Sequence, residues 1–503
     1  MASHRVAYRI GGLILLALLL RWAGGMDHAL FPDEGSSYFF SRLPVAVISC
    51  SLCDPHPPIY YLLLKGIGML AQREAWLRLP SLLAGGLAVP LTWATAHLLM
   101  AEWARWPRRT AWLAAALVAV APLAVWYSRE ARPYALLATL TLLLVWSGLR
   151  WVQRPGAGRA LLYLLVGWSA LWTDYGALLG WAGLNLLLLS GWPWQSAAAQ
   201  AGHGRRWAGL QIILFTPLLL WWLLSAQLTA LRHMSYQAIF LAVQAQAVGL
   251  PVTPAAAGRI IATALLGAAG LAVLAALLLR HSQRARRLVA HPASTSALLI
   301  LLLVLALLGA WPRLYTVKRH LNVLLPFVAI AASVALSWTA PRLRLWRVVA
   351  GALLMVNLLA SGVMLLRAPH SAWREIVSTL RAQTAPGDLI LVDELDAPVF
   401  AYYWGSALGW QPLRARHLPA ATRDTTDAAR VWLAGSSTPY RDLHQALPAQ
   451  WGGGHTAVQR HDWLDAAITL YEVSTPAAPG PPLSQTLRWG LDILSPLDIT
   501  CPR

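Results

Sequence analysis

The sequence predicts an all-α polytopic membrane protein of about eleven spanning helices over residues 1–366, followed by a small α/β domain over 367–503. Three observations carry this. Of the 503 residues 57% are hydrophobic and only 12% charged, whereas soluble domains carry about 25% charged residues. Apolar runs recur from Arg9 to about Leu366, and about 20 such residues cross the hydrocarbon layer. Beyond Leu366 the apolar runs shorten and alternate with polar turns.

The spans fall at about 9–24, 77–99, 111–127, 134–150, 160–173, 176–192, 208–226, 258–279, 295–311, 320–339 and 348–366. The first run, Ile10 to Trp22, has no small-residue cleavage site after it and reads as a retained span. Ile59–Leu70 is apolar but only about a dozen residues long, a length that lies in the interface or re-enters rather than crosses. Charge supports that choice. If Ile59–Leu70 does not cross, one side receives Arg5/Arg9, Arg105/Arg108/Arg109, Arg150/Arg154/Arg159, Arg205/Arg206, Arg280/Arg284/Arg286/Arg287 and Arg342/Arg344/Arg347. This is the positive-inside pattern, six times over. It places the N-terminus in the cytoplasm and the segment after the last span outside, as expected of a bacterial inner or plasma membrane protein. The net charge of +19 and pI near 10.7 then set topology and do not call for a nucleic acid.

In the C-terminal part, Ser371–Gln383 reads as a helix and P-G-D at 386–388 as a turn. Leu389–Val392, 430–434 and 467–473 read as strands. Helix and strand alternate, which predicts an α/β domain of about 100 residues. Cys50 and Cys53 form a C-x-x-C pair, open to a local disulfide in an oxidising compartment or to two free thiols. Two thiols cannot make a four-ligand zinc site.

The polar residues of interest fall in the outer segments. F-P-D-E at 31–34 places Asp33 and Glu34 beside the membrane surface, where acids are costly and point to function; the competing reading is a pair capping a helix that begins at Gly35. D-P-H-P-P-I-Y-Y at 54–61 contains His56 and Tyr60, and its prolines start a short helix. Y-S-R-E-A-R-P-Y at 127–134 packs Arg129, Glu130 and Arg132 between Tyr127 and Tyr134. A guanidinium fork there suits a phosphate; the competing reading is an interfacial anchor. Y-T-V-K-R-H-L-N at 315–322 puts Lys318, Arg319 and His320 outside, against the positive-inside trend, as an anionic lipid headgroup would require. Anchoring competes here too.

Taken in order, D-E after the first span, H-P-P-I-Y-Y-L-L-L, R-L-P-S at 78–81, S-R-E-A-R-P-Y and K-R-H-L-N-V-L-L-P resemble the GT-C glycosyltransferases. The type resembled is the protein-mannosyltransferase and aminoarabinose-transferase-like group, glycosyltransferase family 39 and its relatives. T-D-Y-G at 173–176 is similar to a T-H-Y turn of that group, with Asp174 where a histidine is common; His320 stands where a tyrosine is common. The resemblance implies a helical membrane core with juxtamembrane helices in the first outer loop. It also implies a polyprenyl-phosphate sugar donor and inverting transfer. Asp33 matches the family's catalytic aspartate, with Glu34 orienting the acceptor or sharing the role. Arg132, Lys318, Arg319 and His320 would hold the donor phosphate, supported by His56, Tyr60, Glu130, Tyr134 and Asp174. A divalent ion such as magnesium or manganese at Asp33 and Glu130 is compatible with the family and not required by the sequence. The acceptor hydroxyl is left open between protein, lipid and glycan. The rivals are a flippase or polymerase of polyprenyl-linked glycans and a secondary transporter; the latter would show repeated halves and acids at span centres.

Overall fold

The computed structural model describes residues 2–49, 56–71, 73–100, 106–189, 203–224, 322–339, 342–367, 371–385, 388–393, 396–405, 410–413, 430–436, 455–463 and 466–473. The expected spans at 258–279 and 295–311, the cysteines and the 315–321 cluster lie outside them. The described elements form two compact units. One comprises Met1–Met26, Ser49–Leu63 and Arg78–Arg367, and the other Asp27–Ile48, Leu64–Leu77 and Ala368–Arg503.

The first unit is a bundle. Helix α1 is Ala2–Trp22; the second unit contributes α2 (Pro32–Arg42), and α3 (Val45–Ser49) ends at the boundary. Then come α4 (Ile59–Gly68) and α5 (Glu74–Met100), of which Leu64–Gly68 and Glu74–Leu77 fall in the second unit, and α6 (Pro107–Val120), α7 (Pro122–Tyr127), α8 (Tyr134–Gln153), α9 (Ala157–Leu171), α10 (Ala177–Leu189) and α11 (His203–Leu224). A 3₁₀ turn, Asn322–Leu324, leads into α12 (Leu325–Thr339), followed by α13 (Leu343–Arg367). Among the described residues, Glu74–Leu99, Tyr134–Gln153 and Leu343–Leu366 are long and apolar enough to cross a membrane. Ile59–Gly68 is a shorter apolar helix, as its length suggested.

Leu137, Leu144, Tyr163, Leu184, Trp207, Leu214 and Val334 make one core, and Ala17, Val89, Leu113, Val118, Leu336 and Trp346 a second. Polar links cross the first core: Gln211 Oε1 accepts from Tyr163 Oη at 3.0 Å and Trp181 Nε1 at 2.7 Å. In a bundle facing lipid such bonds hold helices together where burial gives no net drive. On α13, Val348, Met355, Val356, Leu359 and Leu366 point outward, and only 11% of its most apolar stretch is buried. That is the surface acyl chains cover.

The expected single span at 111–127 is broken. Ala121 adopts φ −66°, ψ 128° ahead of Pro122, because a proline disfavours the helical conformation in the residue before it. Pro122 also has no N–H to offer the Val118 carbonyl. Arg21, fully buried near the end of α1, fills the gap. Its guanidinium donates to Val118 O at 3.2 Å, Ala119 O at 2.9 Å, Ala17 O at 3.0 Å and Ser128 Oγ at 3.1 Å. Ser361 Oγ donates to Val120 O at 2.7 Å. The opened end of α6 is thus satisfied inside the bundle, as a dry environment demands.

In the second unit, α14 (Trp373–Gln383) buries Trp373, Ile376, Val377 and Leu380, an i, i+3, i+4, i+7 stripe. The unit also holds β1 (Leu389–Asp393), α15 (Ala397–Trp404), β2 (Trp410–Leu413), β3 (Arg430–Ser436), β4 (His455–Asp462) and β5 (Ala466–Val473). The sheet order is β2-β1-β3-β5-β4. β1 runs parallel to both neighbours, with Leu389 opposite Val431, and β5 is antiparallel to β3 and β4. β1 and β3 are continuous apolar runs, the pattern of strands covered on both faces. Pro412 sits on the edge strand β2, where a missing N–H does least harm.

Helix α2 packs on α15. A Cβ at Gly35 would come within 2.6 Å of the Val399 backbone, and the Tyr38 and Tyr402 rings meet edge to face at 4.8 Å. Gly35→Ala is therefore expected to force the two helices apart and cost about 1–3 kcal/mol. A lowered thermal midpoint in detergent would read it; an unchanged midpoint would mean that the helices pack less closely.

Candidate active site

In the first unit, Pro57 and Pro58 precede α4, whose Ile59 N–H donates to Trp172 O at 3.0 Å. This ties the start of α4 to the turn between α9 and α10. It brings His56 Nε2 to 3.9 Å from Asp174 Oδ2. Asp174 is 4% exposed. Its Oδ1 accepts the Gly176 N–H at 2.7 Å, an Asx turn, and its buried Oδ2 has no hydrogen-bond partner among the described residues. Burial, with the Asp174 charge alongside, pushes the Tyr175 phenol up to about 12.

At the second residue of α4, Tyr60 Oη lies 3.3 Å from Ser81 Oγ on α5, and Ser81 Oγ donates to Arg132 O at 3.0 Å. Arg132 is 5% exposed. Its Nη2 donates to Tyr134 Oη at 3.3 Å and its guanidinium sits 5.5 Å from the Tyr134 ring centre. Asn322 Nδ2 donates to Tyr134 O at 3.2 Å. Glu130 is partly buried in the same turn. Hence one unit holds two sets, His56 with Asp174 and Tyr60 with Ser81, Arg132 and Tyr134, which meet along the chain at the start of α4. The sequence reading did not single out Ser81 or Asn322 as members of this group. The only signal for Asn322 was its place at the end of K-R-H-L-N.

The two arginines of the 128–133 turn do different work. Arg129 donates to Arg21 O at 3.2 Å, to Gly25 O at 3.1 Å and to Ala23 O. It thereby closes the C-terminus of α1, where Gly24 and Gly25 take φ of 79° and 82°. Burial and the neighbouring Arg78 push its guanidinium below the usual arginine range.

Asp33 and Glu34 belong to the second unit. The helix there starts at Pro32, not at Gly35, since proline suits a first helical turn. Phe31 is the N-cap, and its N–H donates to Glu34 Oε2 at 2.9 Å. Glu34 is 1% exposed, whereas Asp33, one position earlier in the same turn, is exposed. Both carboxylates lie at the positive end of the helix dipole. Lys318, Arg319 and His320 lie outside the described residues. Among the described residues no three His, Cys, Asp or Glu side chains converge.

No protein-family model and no curated protein matches the chain. Solved structures do. ArnT from Cupriavidus metallidurans, an aminoarabinose transferase bound to undecaprenyl phosphate in that crystal, matches at TM-score 0.50 and 14% identity, over 95% of this chain and 100% of that one. The oligosaccharyltransferase of Archaeoglobus fulgidus in complex with zinc and sulfate matches at TM-score 0.50 and 12% identity, over 85% of this chain and 68% of that one. At such identity the likeness is one of fold, and it makes this chain a membrane protein of the GT-C fold.

Proposed function

We propose that the protein is an inverting glycosyltransferase that moves a sugar from a polyprenyl-phosphate donor to an acceptor hydroxyl on the outer face of a bacterial inner membrane. The observation that carries this reading is the Arg132 group. A nearly buried guanidinium flanked by Tyr134, on a residue whose main-chain oxygen is tied through Ser81 to Tyr60, has the chemistry to receive a phosphate that departs with negative charge. The fold supports it, since a protein of that fold was crystallised with a lipid phosphate.

In this reading the acceptor oxygen attacks the anomeric carbon as the bond from that carbon to the phosphate oxygen breaks, so configuration inverts. The acceptor's proton passes to Asp33, and the departing polyprenyl phosphate keeps its charge against Arg132, Lys318, Arg319 and His320. Glu34, held by the Phe31 amide, steadies the turn that carries Asp33. Asp174 and His56 hold hydroxyls of the sugar, with Glu130 beside Arg132. In the same reading residues 1–366 are the transmembrane catalytic module and 367–503 an extracytoplasmic α/β domain.

The test is donor class. Labelled sugars are offered to the protein in proteoliposomes on polyprenyl phosphates and, separately, on nucleoside diphosphates. Label is expected to leave only the lipid donors, with release of polyprenyl phosphate. Transfer from nucleotides alone, or none across a broad panel, would overturn the reading.

A further inference from the structure

The second unit holds a network outside the groups described so far. Tyr403, in the last turn of α15, accepts the Leu30 N–H on its hydroxyl at 2.8 Å. The same hydroxyl donates to Glu74 Oε1 at 3.1 Å. Glu74 Oε1 also takes Arg374 Nη2 at 2.5 Å, and that nitrogen reaches Asp27 O at 2.7 Å. The Arg374 guanidinium lies 5.8 Å from the centre of the Tyr403 ring. Arg381 Nη2 clamps the other end of the residue, donating to Tyr403 O at 3.1 Å and Trp404 O at 2.8 Å.

The hydroxyl is not a free rotor. With one lone pair taken by Leu30 and its proton given to Glu74, its direction is set from both sides. Burial, foremost, holds the phenol above its ordinary range, so it remains a donor. Leu30 immediately precedes the N-cap of α2. The two amides before that helix, Leu30 and Phe31, are therefore each held by a side-chain oxygen, of Tyr403 and of Glu34. The direction in which the first turn leaves its cap, and so the place of Asp33, depends on both.

We propose that Tyr403 is a positioning residue for Asp33, fixing through the Leu30 amide the turn from which that carboxylate meets the acceptor. This rests on the role given to Asp33 under the proposed function. It assigns the C-terminal segment a part in aligning the base, whatever else that segment binds.

Tyr403→Phe keeps the ring and removes only the hydroxyl. Its kcat is expected to fall about tenfold with KM for the lipid donor unchanged, as misplacement of a reacting group does. Amide hydrogen exchange over residues 28–38, read without substrate, is expected to accelerate. In the Asp33→Asn background the same substitution should take nothing further from the residual rate, because the base it aligns is gone. Glu74→Leu, which removes the acceptor of the Tyr403 proton while both Leu30 and Tyr403 stay in the sequence, should shift kcat in the same direction and serves if Tyr403→Phe does not fold. Losses that multiply in the double variant, or wild-type kcat and exchange in Tyr403→Phe, would overturn the proposal alone. Wild-type transfer by Asp33→Asn would overturn it through the reading it rests on.

Discussion

Asp33→Asn is expected to lower the rate of transfer from a lipid donor by about 10²–10⁴, the usual worth of a general base. Asparagine matches aspartate in shape but has no basic oxygen, so the loss should fall on kcat and leave donor KM nearly unchanged. The fold should survive, because Asp33 is exposed on the first turn of α2 and its interaction with the helix dipole is worth only about 0.3–1 kcal/mol. Glu34 provides the contrast. Glu34→Gln keeps an oxygen for the Phe31 N–H and should transfer at close to the wild-type rate. Glu34→Ala loses the cap, at about 0.5–2 kcal/mol. Initial rates and thermal midpoints measured side by side separate the two carboxylates. Full activity in Asp33→Asn would remove it as the base.

The second large effect concerns stability. Arg21→Leu is expected to destabilise the first unit by about 2–5 kcal/mol, because it strips donors from buried carbonyls that cost about 1–3 kcal/mol each when unsatisfied. Val118 has no substitute, since the residue four positions on is Pro122. Gly85 leaves room for this arrangement; a Cβ there would lie 2.7 Å from Arg21 Nε. A compensating change follows from the same geometry. Pro122→Ala restores the missing N–H, allows α6 to continue toward α7, and should recover part of the loss in Arg21→Leu. Folded yield and thermal midpoint of the two single variants and the double would decide. Additive losses would mean that the broken helix is not the reason for the buried arginine.

Much of the architecture was legible because lipid simplifies the code. A run of apolar residues between arginine-rich loops leaves little choice but a helix, and every expected span that falls within the described residues has helix over it. Leu389–Val392, 430–434 and 467–473 were readable as strands because they are short apolar runs bounded by polar turns. What escaped were elements fixed by partners far away in sequence. Ala397–Trp404 is rich in valine, phenylalanine, tyrosine and tryptophan, which favour strands; Pro398 in its first turn and its packing against α2 make it a helix. His455–Asp462 is polar and mostly exposed, so it lacks the apolar alternation that marks a strand, and pairing with β5 supplies its structure. In the candidate site, only the family resemblance set Arg129 and Arg132 apart. One serves backbone carbonyls, which leave no trace in sequence, and the other faces a tyrosine that does. Arg21 was hidden likewise, because nearly all its partners are main-chain oxygens.

The Leu30–Tyr403 bond joins residues 373 positions apart, and this sets a clock. At about 5–20 residues per second of synthesis, α2 emerges roughly 20–75 s before the residue that holds its cap. Throughout that interval the first turn has Glu34 to cap it but neither Tyr403 nor the face of α15 to lie against. A ribosome that stops short of residue 404 leaves the helix without that seat, so alignment of the acidic turn waits on synthesis of α15.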